Sequence, residues 1–129
     1  MNVGVGKYIY AALSTISRSI SVHPVVNQTD TPTPSTPFIV YQRTDFTLVY
    51  SKDLWTGEIT HNYSVTIVDN DYTNCLNQVD TVINTMLALS NVQKDDMNFK
   101  QVRLTGGSED FIDGLYTQTL EFEINTMRK

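Results

Sequence analysis

The sequence is poor in three things: cysteine, basic clusters and long apolar runs. The lone Cys75 excludes an internal disulfide framework and fits a reducing compartment. No stretch approaches the roughly eighteen apolar residues of a membrane-spanning helix. The start of the chain lacks the charged lead and small-residue cleavage site of a secretory signal, so none is expected. Lysine and arginine are scattered singly, nine bases against fourteen acids, for a formal net charge of -5. That balance argues against gripping duplex DNA as the main task, which needs a basic patch or stripe. What is present is 129 residues, 40% of them hydrophobic. This is enough for a single domain over residues 1–129, burying roughly two-thirds of its unfolded surface without metal or disulfide.

Val5, Ile9, Ala12, Leu13, Ile16 and Ile20 recur at helical spacing. This first helix is expected to end near Arg18 to Ser21, because Pro24 cannot continue it. Val22 to Val26 reads as a short strand. Residues 27–37, NQTDTPTPSTP, form the one biased stretch. It reads as an exposed Thr/Pro loop, either a plain connector or a segment that orders against a partner.

Phe38 to Tyr50 reads as a strand, broken near Thr44-Asp45 by a bend or bulge. A turn is expected at Lys52-Asp53 or Thr56-Gly57. Ile59, His61, Tyr63, Val65 and Ile67 then alternate with polar residues, the pattern of a long strand with one wet face. Asp69-Asn70-Asp71 ends it and supplies helix-capping side chains. Tyr72, Leu76, Val79, Ile83, Met86 and Leu87 predict a second helix to about Leu89 or Ser90. Phe99 to Thr105 and Tyr116 to Ile124 predict a second hairpin. Gly106-Gly107 marks a bulge or bend, and Asp113-Gly114 a tight turn. The expected fold class is α+β: an antiparallel sheet of two hairpins plus a short strand, with both helices on one face.

The chemistry-bearing residues form no catalytic pattern. His23 precedes a proline, and His61 sits on an alternating strand face, where packing with one ring nitrogen hydrogen-bonded is expected. Neither has a zinc-ligand spacing. Asp69, Asp71 and Asp80 fail as a calcium loop, since Asn74 replaces the glycine and Asp80 the glutamate. Cys75 falls in the first turns of the second helix and reads as a buried small hydrophobe rather than a nucleophile. Gly4-Val5-Gly6 is no dinucleotide fingerprint, and Gly106-Gly107 lacks the lysine and serine of a phosphate loop. Glu109, Asp110 and Asp113, and the pair Glu121 and Glu123, read as a solvated edge. Asn27-Gln28-Thr29 and Asn62-Tyr63-Ser64 are chance glycosylation matches. No catalytic residue, metal or cofactor is expected. Strand aromatics (Tyr41, Phe46, Tyr50, Trp55, Tyr63, Tyr116) and two hairpins leave self-association through sheet edges as the reasonable hypothesis.

The order of elements resembles the tail-completion proteins, also called tail terminators or head-tail joining proteins, of long-tailed bacteriophages and prophages. The resemblance rests on the helix Lys7 to Leu13, the proline-preceded strand Pro37 to Gln42, and the polar strand His61 to Val68. It continues through the helix core Val79 to Ile83, the arginine-bearing strand Val102-Arg103-Leu104 and the last strand Leu115 to Ile124. It spans about residues 5 to 126. The resemblance implies a non-enzymatic virion protein of the tail-neck region, made in the host cytoplasm. It implies a ring, commonly a hexamer, that caps the tail tube protein and docks to the head connector protein. DNA would pass through the lumen without specific binding, which an acidic lining favours. On this reading Phe46, Leu48, Tyr50 and Trp55 are expected at subunit contacts, and Thr31, Thr33, Gly107 and Asp110 at partner contacts. The alternatives are a small monomeric adaptor or ligand-binding domain, and a small enzyme using Cys75 or His61.

Overall fold

The computed structural model describes residues 4–16, 20–24 and 36–128. The elements run α1 (Val5–Leu13), β1 (Ser21–Pro24), β2 (Phe38–Ser51), β3 (Leu54–Asp69), α2 (Tyr72–Leu87), β4 (Met97–Ile112) and β5 (Leu115–Arg128). They build an α+β domain with one five-stranded sheet of order β1-β2-β3-β5-β4. Both helices pack on the same face, which carries the odd positions of β3 and the even positions of β5.

The core follows from the two periodicities. Val5, Ile9 and Leu13 line the inner face of α1, and Cys75, Val82 and Met86 that of α2. They close over Ile39, Val65, Ile67, Phe99, Leu120, Phe122 and Ile124 from the sheet. The opposite face of β3 and β5 carries Thr60, Asn62, Ser64 and Thr66 against Asn125, Glu123, Glu121 and Thr119. No helix covers it.

Two expectations change, and the fold class gains a detail. The helix α1 closes at Leu13, short of Arg18 to Ser21. Thr15 N donates to Ala12 O and Ile16 N to Leu13 O, i→i+3 bonds that tighten the last turn and end the helix. The sheet is not wholly antiparallel, because β1 pairs with β2 in parallel, Ser21 opposite Phe38 and Pro24 opposite Tyr41. A parallel pair needs a crossover of about a dozen residues or more. The length of the Thr/Pro segment therefore has a topological cause, although residues 25–35 lie outside those described. The expected end of β1 at Val26 lies outside them too. Finally, β4 does not stop at Thr105. It runs on to Ile112 through register shifts at Phe99/Gln101 and Leu104/Gly106, so Gly106-Gly107 sits within a longer strand.

The turn chemistry holds. Lys52 and Asp53 both have positive φ (48° and 69°), as do Asp113 and Gly114 (55° and 79°). This is the paired left-handed geometry of a tight hairpin. Thr44 marks the register shift in β2. Asp71 caps α2, its side chain accepting from Thr73 N at 3.0 Å. Asp71→Ala should therefore lower stability by about 1 kcal/mol, readable as a shifted urea midpoint with an unchanged slope.

Candidate functional site

The β2–β3 hairpin projects past the body of the sheet. Glu58 pairs with Met127 near the end of β5, and Leu54 to Gly57 lie beyond that level. On this arm the register sets Phe46 opposite His61, Leu48 opposite Ile59 and Tyr50 opposite Trp55. Cross-strand partners share a face. The four residues expected at subunit contacts thus form one apolar stripe on the helix-bearing side of the arm. Phe46 is 43% exposed and Tyr50 58%, while Leu48 and Trp55 are half-buried. Trp55 is fixed in place: its ring nitrogen donates to Glu58 O at 2.9 Å, and the Arg128 guanidinium lies 5.0 Å from its centroid. Gly57 makes that approach possible. A Cβ there would meet the Arg128 side chain at 3.0 Å, and its φ of +92° is one that L residues rarely adopt.

At the root of the arm His61 is fully buried. Its Nε2 lies 3.3 Å from Thr126 Oγ1, the hydrogen bond expected from its strand position. Its Nδ1 has no hydrogen-bond partner among the described residues. The Phe46 and Tyr63 rings flank it, both with centroids 6.4 Å away. Burial, helped by the Arg43 charge, pulls its pKa down from 6.5 to about 4. The ring is neutral and structural at neutral pH.

Cys75 is a core residue, as its pattern implied. Its single S–H has two acceptors within reach at long distance, Ile67 O (3.7 Å) and Tyr116 O (3.8 Å). Burial first, then the Asp69 and Glu109 charges, raise its pKa to about 11. A thiol reagent should leave Cys75 unmodified in the native protein at pH 7.5 and label it fully in denaturant. Rapid labelling of the folded chain would revive the enzyme reading.

Sequence reasoning missed a cleft at the other end of the sheet. Tyr72 opens α2, Glu109, Asp110 and Phe111 lie late in β4, and Tyr116 lies early in β5. Together they line a cleft of about 390 Å³. Tyr116 stands between the other two rings, 4.6 Å from Phe111 and 5.1 Å from Tyr72, centroid to centroid. Glu109 Oε2 accepts from Tyr72 OH at 3.1 Å and from Gln118 Nε2 at 2.7 Å. The first of these bonds raises the Tyr72 pKa. The signal was available as alternation of Glu109 with Phe111, but three separate elements had to be brought together.

Of the residues expected at partner contacts, Asp110 lines this cleft. Gly107 sits opposite Leu120, where a Cβ would come within 3.1 Å of Thr119 O. Thr31 and Thr33 lie outside the described residues. Glu121 and Glu123 occupy the helix-free face, and Glu123 is paired with Arg103 at 2.6 Å. Among the described residues, no three His, Cys, Asp or Glu side chains cluster to hold a metal ion. None of the described helices is long and apolar enough to cross a membrane.

The sequence matches no family model. No curated protein matches it either. In structure the chain is similar to a chain of the virion of a native gene transfer agent particle. The TM-score is 0.63 at 11% identity, over 92% of this chain and 91% of that one. At this identity the likeness establishes a shared fold.

Proposed function

We propose that this chain is a structural, non-enzymatic subunit of a phage-like virion. In the finer reading it is a tail terminator, which caps the tail tube as an oligomeric ring and meets the head connector. The observation that carries the proposal is the fold likeness to a gene transfer agent virion chain, which extends over nearly the whole of both chains. The order of elements supports the finer reading, since it follows that of tail-completion proteins from the first helix to the last strand.

Three features of the surface fit a ring subunit. The aromatic stripe on the β2–β3 arm offers contact area beyond the fold's own core. The sheet also leaves β4 as an edge strand, and β2 beyond Tyr41 has no described partner on its outer side. Rotational closure would pair or cover such edges. The helix-free face is the candidate lumen lining. It carries hydroxyl and amide side chains with Glu121 and Glu123, and Arg103 and Lys100 near it are neutralised by Glu123 and Glu58. Such a surface would let DNA slide, because its described residues offer phosphates no unpaired base.

The second reading, a monomeric ligand-binding domain, is favoured by the aromatic cleft at Tyr72, Phe111 and Tyr116. Light scattering at high concentration, with and without tail tube protein, separates the two. The ring reading expects a multiple of the 14.6 kDa chain in at least one condition. Monomers throughout would favour the ligand-binding domain.

A further inference from the structure

The cleft at the β4–β5 end has the chemistry of a cation receptor. Three aromatic rings line one opening together with the Glu109 carboxylate. A cation within about 6 Å of an aromatic centroid is held by the ring quadrupole, the principle of aromatic cages for ammonium groups. Glu109 is positioned for that role. Both of its hydrogen bonds come from neutral donors and both fall on Oε2, so Oε1 has no partner among the described residues. The surroundings add charge of the same sign. Asp69, Asp71, Asp110 and Asp113 lie at this end of the sheet, and no described lysine or arginine does.

The chain carries a matching donor at its other end. Among the described residues, Lys7, Lys100 and Arg103 are in ion pairs with Asp96, Glu58 and Glu123. Arg43, Lys94 and Arg128 lie over the rings of Phe46, Tyr8 and Trp55. Lys52 has none of these partners. It stands at the tip of the β2–β3 arm in left-handed geometry, between the exposed Tyr50 and the 74%-exposed Leu54. The antiparallel register of β3 with β5 places that tip and the cleft at opposite ends of the sheet. Apolar groups flank both, since Phe111 and Ile112 are also exposed beside the cleft.

We infer that the Tyr72–Phe111–Tyr116 cleft is a receptor for a lysine ammonium, filled by Lys52 from the arm of a second copy of this chain. The contact is head-to-tail: each subunit gives a tip and receives one, the heterologous pairing that makes a ring when the rotation closes. Tyr72, Phe111 and Tyr116 would surround the ammonium, and Glu109 Oε1 would take its charge. The inference rests on the ring reading and specifies which surfaces meet.

Directed cross-linking tests it. Lys52→Cys and Asp110→Cys chains are purified separately, mixed at high concentration with tail tube protein present, and oxidised mildly. Cys75 stays buried and does not interfere. The mixture should give several-fold more disulfide-linked dimer than either variant alone. In parallel, Lys52→Glu and Glu109→Lys should each lower the assembled fraction in light scattering. The two combined in one chain should recover part of it, since the ion pair is restored while the rings disfavour a carboxylate. Both sites are exposed, so circular dichroism should be unchanged. If oligomers form but the mixture links no faster than the single variants, and both reversals assemble normally, the receptor is refuted and the ring survives. If no condition yields oligomers, both are refuted.

Discussion

Phe46→Glu with Tyr50→Glu should abolish self-association while leaving the fold intact. Both rings are exposed in the isolated subunit, so their loss removes little of the core. The cost appears when the arm is covered by a neighbour. Two carboxylates would then have to be desolvated, with Arg43 beside position 46 able to offset only one of them, at several kcal/mol for a buried charge left unpaired. A ring multiplies that penalty over every interface. The measurement is light scattering beside urea unfolding. The expected outcome is a monomer under conditions where the parent chain assembles, with an unfolding midpoint close to the parent's. Assembly at parental concentration would show that the aromatic stripe faces solvent in the ring.

Acid should weaken the monomer through His61. Its folded pKa of about 4 lies below the unfolded value of 6.5. Above pH 6.5 the ring is neutral in both states, and stability is at its full value. Between 6.5 and 4 the unfolded chain binds a proton that the native chain refuses, so stability falls as the pH drops. Below 4 both states carry the proton and this loss levels off. The shift corresponds to about 3 kcal/mol at most, at 1.36 kcal/mol per pKa unit. His61→Gln keeps a group able to bond Thr126 and removes the titration. Melting temperatures of the two proteins should converge at acid pH and separate at neutral pH, or the variant's pH profile should be flatter throughout. Parallel profiles would mean that His61 is not the titrating group.

Why these two sites differ in legibility is a matter of sequence distance. The stripe on the arm was readable because Phe46, Leu48 and Tyr50 alternate along one strand, and the hairpin register brings Trp55 to the same face. His61 could be placed among Ile59 and Tyr63 by period alone, and the cap at Asp71 by its position before an apolar repeat. The strand order was not readable. That β5 inserts between β3 and β4, and that β1 joins β2 in parallel, depends on pairings between residues far apart in the chain. The cleft needed the same information, because Tyr72 meets Tyr116 only after β5 has paired with β3. Gly106-Gly107 suggested a bulge or bend, and the register shift at Leu104/Gly106 matches the bulge, but the extension of β4 beyond it was not legible. The backbone absorbs the glycines at that shift and continues to Ile112.

The acidity of the chain gains a location. At the β4–β5 end the charge faces an aromatic cleft with no described base beside it, and on the helix-free face Glu121 and Glu123 stand among hydroxyls and amides. On the proposed reading, the first would receive a neighbour's lysine and the second would line a passage for a polyanion.

The central claim is tested most directly by electron microscopy of tail tubes mixed with this chain. The account predicts one ring of density at one end of each tube, absent when the Phe46→Glu, Tyr50→Glu variant is supplied. Bare tube ends, with the chain remaining monomeric in the same mixture, would contradict it.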